Sequence, residues 1–336
     1  MKHFTSIFMI GFLIVLSLIQ ADRIFASEPS DITKDKSLKN VPEIEASGIV
    51  YLEDIDRYLV ISDETENKHP VLYLMNRNGY VKQSVVIQGL DRINDMEAVC
   101  KGDNGDIYIS SSQSFNKKGK LSDKRKLFIR VERNGTDFRL KDKVLLYDLL
   151  SDAVEKNNSL KWLISEDTGM PDINIEGIFF QDGDIFLGLK KPLNAGKAVI
   201  LKIRDINRVL KENRIAENDL SVWQTLDLKD QTTGVPTAIS DLCLYQNRLF
   251  ILSYAKIEKD SALRDTGLKK LGNLWEYDLL QNSLKLLKTF QNMQPEGVVM
   301  MPDSKTLTIV FDGGGDKPSQ FLNMESPANL TVRKTR

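Results

Sequence analysis

The stretch Asn174-Ile-Glu-Gly-Ile-Phe-Phe-Gln-Asp-Gly-Asp-Ile-Phe-Leu-Gly188 places an acid at the head of an apolar strand, followed by a Gly/Asp turn and a second apolar strand. The same order of acid, strand, turn and strand recurs at residues 95–110 and 295–310. Short strands joined by tight turns and repeated along a chain are typical of antiparallel β architectures. This repeat therefore predicts an all-β fold.

The unit of the repeat is visible in residues 47–87, which contain four successive strand patterns, with Asn78-Gly79 as a strong hairpin turn. Four antiparallel strands in roughly 40–50 residues are characteristic of one β-propeller blade. The sequence therefore predicts a β-propeller of five or six four-stranded blades, the sixth depending on whether residues 148–174 hide a degenerate blade. The aligned heads of the repeats are Ser47, Glu97, Glu176, Asp241 and Glu296.

The predicted propeller domain spans residues 43–325, between a flexible leader at 27–42 and a polar C-terminal tail at 326–336. The last repeat has room for only about three strands. We expect the N-terminal segment, at Leu38 to Ile44, to supply the missing strand and close the ring, because closure removes an open sheet edge.

The first 26 residues are predicted to be a secretory signal peptide. A basic start precedes an apolar run of 13 residues from Ile7 to Ile19, and Ala26 offers a small residue for cleavage. The run is short for a membrane span, which needs about 20 residues. An uncleaved N-terminal anchor is the alternative. Either interpretation predicts an exported protein, periplasmic or extracellular, and signal cleavage would leave no membrane attachment.

Composition narrows the classes of function. The net charge of −1 gives no indication of nucleic acid or an anionic membrane as partner. The chain has two histidines, and His3 lies in the predicted signal, which leaves His69 as the only imidazole of the mature chain. A histidine-based zinc site is therefore not expected, and a bound metal would have oxygen ligands, as Ca²⁺ or Mg²⁺ does.

The two cysteines, Cys100 and Cys243, each follow an acid at the head of an apolar strand. An exported protein has the opportunity to pair them. Their positions on inner strands of different repeats favour buried free thiols that behave as small apolar residues.

The repeated acids have two interpretations. First strands of propeller blades line the central channel, so Glu97, Glu176, Asp241 and Glu296 are expected to converge at one mouth. Converging carboxylates raise one another's pKa, and a cation, a basic side chain or a proton must balance them. One interpretation is a Ca²⁺ site made of these four acids. The other is a structural clasp, in which the acids accept backbone N–H bonds or pair with Lys and Arg.

A second set of polar residues follows the second strands and is expected near the same mouth. The candidate binding residues are Asp63, Lys190, Lys191 and Asp312. Lys190 either binds an anionic group such as phosphate or forms a salt bridge to a ring acid.

The segment Ile175-Glu176-Gly177-Ile178, with Gly188-Leu-Lys190-Lys191-Pro192 after it, resembles a bacterial propeller family of unknown function related to the esterase-like phytase propellers. The resemblance extends over most of residues 43–325, but only 172–203 is distinctive. Lys190 stands where the family pattern has Arg, and Lys191 replaces its Gly. The related family's name implies phosphoester hydrolysis.

Two functional hypotheses follow. The first is a metal-dependent phosphoester or ester hydrolase with an acid-lined central mouth, with Glu97, Glu176 and Lys190 as catalytic candidates and Lys190 holding the anion. The second is a non-catalytic binding or scaffold module for a carbohydrate, a peptide or an envelope component. Both predict a small-molecule or surface-polymer ligand, and we expect a monomer.

Overall fold

The computed structural model describes residues 28–38, 43–303, 305–314 and 317–326. Its strands form five sheets, each of which is one blade of a β-propeller. This confirms the predicted fold class with five blades. No helix among these residues is long and apolar enough to cross a membrane. The predicted signal at 1–26 and almost all of the predicted tail lie outside the described residues.

Each blade is an antiparallel meander that begins with its innermost strand, and the innermost strands of neighbouring blades contact one another around the axis. Blades 1 and 2 consist of β3 (Ala46–Leu52), β4 (Arg57–Ser62), β5 (Val71–Met75) and β6 (Tyr80–Val86), and of β7 (Met96–Lys101), β8 (Ile107–Ser111), β9 (Leu127–Asn134) and β10 (Asp137–Leu145). Blades 3 and 4 consist of β11 (Asn174–Gln181), β12 (Asp184–Lys191), β13 (Ala198–Ile203) and β14 (Leu220–Leu226), and of β15 (Ala238–Tyr245), β16 (Arg248–Lys256), β17 (Lys270–Asp278) and β18 (Ser283–Gln291).

Blade 5 closes the ring with chain from both ends of the domain. It combines β19 (Gln294–Met300), β20 (Thr306–Asp312) and β21 (Gln320–Glu325) with the short N-terminal strand β1 (Ser30–Asp31). A further short strand, β2 (Thr33–Lys34), pairs in parallel with β6 of blade 1. Closure by the N-terminal segment is confirmed. The closing strand lies at 30–31 and not at 38–44, because the chain reaches β21 before it turns to β2.

The region 148–174 contains helices, not a blade. Helix α1 (Leu146–Lys156) buries Leu146, Leu149, Leu150, Ala153 and Val154, a spacing that puts one apolar face on the core. Helix α2 (Ile206–Glu212) interrupts blade 3 between β13 and β14. The 3₁₀ turns are Lys36–Leu38, Glu53–Ile55, Glu66–Lys68, Asp123–Arg125, Asn158–Leu163 and Ala262–Arg264.

The hairpin in the opening stretch shows how local sequence sets the blade geometry. Asp182 and Gly183 connect β11 to β12, and both have positive φ, 52° and 86°. A two-residue hairpin turn of this kind matches the twist of the flanking strands and favours Asp-Gly. The turn therefore fixes the register that pairs Gln181 with Asp184.

Every inner strand carries a β-bulge near its start, where two residues oppose one residue of the second strand. The bulged residues are Ser47, Glu97, Glu176, Ser240 and Glu296. In blade 4, therefore, the equivalent of the other head residues is Ser240 and not Asp241. Successive side chains of a strand point to opposite faces. The side chain of Asp241 therefore does not point in the direction taken by the bulged acids of the other blades.

Asp241 fastens blade 4 to blade 5. Its side chain is 2% exposed, and Oδ2 accepts a 2.7 Å hydrogen bond from the Val298 N–H on the inner strand of blade 5. Two residues further on, Cys243 Sγ accepts from the Met300 N–H at 3.4 Å. The edge N–H groups of β19 would otherwise be unpaired. The hydrogen bond that Asp241 accepts from the Val298 N–H agrees with the structural clasp interpretation.

We expect Asp241→Ala to lower the free energy of unfolding by about 1–2 kcal/mol, because it leaves the Val298 N–H unpaired at a blade interface. Urea unfolding measures the loss. Ser240→Ala is the matched control, since the neighbouring Ser240 hydroxyl is buried without a hydrogen-bond partner among the described residues. Equal losses in the two variants would contradict the clasp.

Both cysteines are free thiols. Cys100 is 7% exposed on β7 and Cys243 lies on β15, in blades 2 and 4. Burial raises the pKa of the Cys243 thiol to about 12. Both thiols therefore stay protonated and unreactive at neutral pH.

Candidate functional site

The starts of the inner strands enclose a small acidic cavity of about 70 Å³ at one mouth of the propeller axis, called here the acidic mouth. Six carboxylates and one lysine line it. The lining residues are Glu45, Ala46, Ser47, Asp63, Glu97, Glu176, Lys190, Gln294, Glu296 and Asp312. Three of the four acids expected to converge, together with Lys190, Asp63 and Asp312, are therefore brought together.

The lysine of the acidic mouth forms an ion pair with an acid of its own blade. Lys190, at the end of β12, places Nζ 2.9 Å from Oε1 of Glu176, which also accepts a 2.9 Å hydrogen bond from Asn174. Glu176 is 2% exposed, and burial raises the pKa of its carboxyl although Lys190 opposes the rise. Burial alone lowers the pKa of Lys190. The negative charges of Glu176, Glu296 and Glu97 outweigh this effect, so the pKa of Lys190 is raised overall. Lys190 is therefore an ammonium ion whose charge is already engaged.

Glu296 repeats the arrangement of Glu176 but lacks a lysine of its own. Gln294, two residues earlier, donates a hydrogen bond to Oε1, as Asn174 does to Glu176. The residue is 5% exposed, and Oε2 has no hydrogen-bond partner among the described residues. Burial and the neighbouring Glu176 raise the pKa of this carboxyl well above its usual range. An acceptor atom in the acidic mouth is thus left without a donor.

Glu97 occupies the corresponding bulge in blade 2 and is only half-buried. The residue two positions before it is Asp95, which forms an ion pair with Arg125 instead of donating a hydrogen bond. Burial, Glu176 and Asp95 together raise the pKa of Glu97 well above its usual range. The three bulge acids therefore compete for the single charge of Lys190.

The other three carboxylates belong to blades 1 and 5, because Glu45 precedes β3, Asp63 follows β4 and Asp312 is the last residue of β20. Burial, Glu45, Asp95 and Asp312 raise the pKa of Asp63 to about 7. Burial, Asp312 and Glu64 raise the pKa of Glu45 as well. Oδ1 of Asp63 has no hydrogen-bond partner among the residues that the structure describes. The acidic mouth therefore contains a carboxyl group whose pKa lies close to neutral pH.

Two candidate residues lie elsewhere. Asp241 fastens two blades, as described above, and Lys191 is exposed, in register with Asn174 at the end of its strand pair. Lys191 does not line the acidic mouth. Sequence reasoning missed Glu45, Asn174 and Gln294, each two residues before a bulge. A comparison of that position across the repeats would have found them, since four of the five blades carry a polar side chain there.

A larger cavity of about 180 Å³ lies at the opposite ends of the inner strands. Its lining is mainly aliphatic and aromatic and includes Cys100 and Cys243. Both thiols have raised pKa values because they are buried. The acidic mouth, although smaller, holds the convergent ionisable groups that characterise functional sites.

The acids do not match a calcium site in their present arrangement. Within residues 28–38, 43–303, 305–314 and 317–326, no group of three or more His, Cys, Asp or Glu is placed to hold a metal ion. The Lys190 ammonium sits among the three glutamates where a cation would neutralise them. Ca²⁺ binding by Glu97, Glu176, Asp241 and Glu296 stays a prediction, and it would need the acids to rearrange.

We expect the ligand-free protein to lose stability as the pH rises from about 4 to about 7. A carboxyl whose pKa is raised on folding binds more protons in the folded state, so its contribution is present at low pH and disappears as the pH passes the folded pKa. For Asp63 the rise from 3.8 to about 7 corresponds to about 2–3 kcal/mol after allowance for its partial exposure.

Urea unfolding at several pH values measures this slope. Asp63→Asn is expected to flatten it, while Glu132→Gln, an exposed acid on β9, is expected to leave it unchanged. A stability that rises with pH over this interval would contradict the raised pKa values. The charged groups that face Asp63 are Glu45, Asp95 with its partner Arg125, and Asp312.

Comparisons with known proteins give a family and general structural likenesses. No sequence among the curated proteins matches the chain. The structure is similar to a putative oxidoreductase (glucose dehydrogenase) of Thermus thermophilus, at 10% identity over 88% of this chain and 99% of that chain, with a TM-score of 0.42. It is also similar to MPT-4, a mannose phosphorylase from Leishmania mexicana, at 12% identity over 92% of this chain and 91% of that chain, with a TM-score of 0.45.

The Dos1 propeller shares 9% identity over 79% of this chain, with a TM-score of 0.32, and the chain spans about half, 52%, of its length. Identities this low carry no information about activity. A family model matches residues 130–320, which is more than half of the sequence. The chain therefore belongs to the family described as "Protein of unknown function (DUF3616)".

Proposed function

We propose that this propeller is a binding module whose acidic mouth takes the positively charged group of a ligand. The observation that supports this most strongly is the charge imbalance: six carboxylates line the cavity with one lysine, and that lysine is already paired with Glu176. Buried carboxylates without counter-charge are costly, so they either hold protons or attract a cation. A cationic ligand would replace the protons that the raised pKa values imply.

The same charges argue against the phosphoester form of the hydrolase hypothesis. A phosphate at Lys190 would have to displace Glu176 from a 2.9 Å ion pair and would face Glu97 and Glu296 at close range. Like charges in a partly dehydrated site repel strongly. The relationship to phytase-like propellers, suggested by the distinctive 172–203 stretch, therefore does not extend in our proposal to phosphate binding at this mouth.

One observation favours a second candidate, hydrolysis of an uncharged ester. The pKa of Asp63 is raised to about 7, which is the range in which a general base is most effective at neutral pH. In this case Asp63 would deprotonate a water molecule beside the bound ester. Turnover of p-nitrophenyl acetate that Asp63→Asn abolishes would support this candidate, and turnover unaffected by the substitution would remove it.

Binding of charged probes tests the primary proposal. Calorimetry at pH 8 and constant ionic strength compares butylamine, inorganic phosphate and CaCl₂. We expect butylamine to bind, phosphate not to bind, and Glu296→Gln to weaken butylamine binding, while Glu132→Gln leaves it unchanged. Phosphate binding without amine binding would contradict the proposal and show that the mouth binds anions. Binding of Ca²⁺ alone would support the metal-site interpretation instead.

We also propose that the protein works outside the cytoplasm as a monomer, with a carbohydrate, a peptide or an envelope component as the source of the ligand. The support for export is the apolar run from Ile7 to Ile19 after a basic start. Cell fractionation of the full-length chain, compared with a chain lacking residues 2–26, tests this location. Cytoplasmic recovery of both chains would contradict it.

A further inference from the structure

The carboxylates of the acidic mouth fall into two groups, and we propose that together they recognise a linear aliphatic diamine, one ammonium in each group. This inference rests on the proposed binding function and adds the class of ligand. The inner group contains Glu97, Glu176 and Glu296, and the outer group contains Glu45, Asp63 and Asp312. The groups differ in their position in the blades. The inner three are bulged residues of inner strands, whereas Glu45 precedes β3, Asp63 follows β4 and Asp312 is the last residue of β20.

The inner group offers a place for one ammonium at Glu296. Its side chain is 5% exposed and Oε2 is unpartnered among the described residues, although Oε1 is held by Gln294. Lys190 shows that an ammonium is accepted in this group, because its Nζ already pairs with Glu176. A primary ammonium carries three donors, enough to satisfy the free oxygen of Glu296 and a second oxygen nearby.

The outer group offers a place for the second ammonium at Asp63. Oδ1 of Asp63 also lacks a hydrogen-bond partner among the described residues, and Glu45 and Asp312 line the same cavity. One ammonium at Glu296 would leave this group still unbalanced. A ligand with a second ammonium a short chain away places a positive charge in each group in a single binding event, which raises affinity without a larger contact area.

Cavity size, hydrogen-bond donors and the absence of a metal-ligand group among the described residues together favour primary ammonium groups over other cations. About 70 Å³ is room for roughly five to seven water-sized groups, which is the scale of a short aliphatic diamine. A quaternary ammonium has no N–H donors for the unpartnered oxygens. A divalent metal would need a group of three or more suitable ligands, and the described part of the chain presents none. Primary ammonium groups are therefore the cations that both the space and the donors favour.

Calorimetry with 1,4-diaminobutane, butylamine and tetramethylammonium chloride at pH 8 and equal ionic strength tests the diamine. We expect the diamine to bind at least about tenfold more tightly than butylamine, and tetramethylammonium to bind least. Asp63→Asn is expected to reduce the ratio between diamine and butylamine affinity, and Asp312→Asn provides the same test if the first variant does not fold.

The outcomes separate this inference from the proposed function. Equal affinities for diamine and butylamine, or a ratio unchanged in both the Asp63 and Asp312 variants, would overturn the diamine while leaving an amine-binding mouth. Binding of neither amine would overturn both. Tightest binding of tetramethylammonium would show that charge alone, without hydrogen-bond donation, determines what the mouth accepts, and would also overturn the diamine.

Discussion

Lys190→Met is expected to lower the free energy of unfolding by about 2–4 kcal/mol at pH 7, because it leaves Glu176 without its counter-charge. Glu176 is 2% exposed and accepts hydrogen bonds from Lys190 and Asn174. Lys190 is itself 32% exposed, so solvent screening keeps the expected loss below that of a fully buried pair. The loss should shrink at pH 5, where Glu176 takes up a proton more readily.

Two further variants make this result specific. Lys191→Met removes the neighbouring lysine, which is exposed and does not line the acidic mouth, and is expected to cost little. The double variant Lys190→Met, Glu176→Gln removes both charges and is expected to recover most of the loss. Equal costs for the two lysine variants, measured by urea unfolding, would show that the ion pair does not stabilise the fold.

Gly177→Ala is expected to lower the free energy of unfolding by about 2–3 kcal/mol, because a side chain at this position collides with the backbone of the next blade. A Cβ atom there would lie 2.9 Å from Cα and from the carbonyl carbon of Asp241. Moving β15 away to make room would strain the hydrogen bond that the Val298 N–H donates to Asp241. The glycine after the bulged acid is therefore required for close packing between blades.

Gly48 is the matched position in blade 1. A Cβ atom there would lie 3.1 Å from side-chain atoms of Ile61 and Val99, which can shift slightly. Gly48→Ala is therefore expected to cost less, about 1 kcal/mol. If urea unfolding gives the same loss for both glycine variants, backbone contact between blades is not the reason for the glycine at 177.

The sequence was sufficient for the blades because strand alternation and turn chemistry are local properties. Asp182-Gly183 and Asn78-Gly79 specify hairpins wherever they occur between apolar strands. The predicted position of the closing strand, Leu38 to Ile44, is wrong because the actual strand, Ser30–Asp31, is only two residues long and has no apolar pattern. Its position depends on backbone hydrogen bonds to β21. Backbone hydrogen bonds do not require particular side chains, so such a strand is difficult to predict from sequence.

The candidate site was predictable in composition but not in register. An acid near the start of four of the five inner strands is visible in sequence. A β-bulge, however, decides which residue points to the axis, and in blade 4 that residue is Ser240 and not Asp241. The pairing of Lys190 with Glu176 follows from the antiparallel hairpin that returns β12 to the start of β11. Asn174 and Gln294 recur at one position of the repeat, but the hydrogen bonds that they donate to Glu176 and Glu296 are visible only in the structure.

We infer that the acidic mouth holds protons in place of a missing positive charge, because the pKa values of Asp63 and Glu296 are raised. Calorimetry of butylamine binding at pH 7, in buffers with different ionisation enthalpies, measures it most directly as the number of protons exchanged on binding. Because a bound cation lowers the pKa of nearby carboxyls, we predict net proton release, reduced in Glu296→Gln. Binding without proton release, or no binding at all, would contradict the claim.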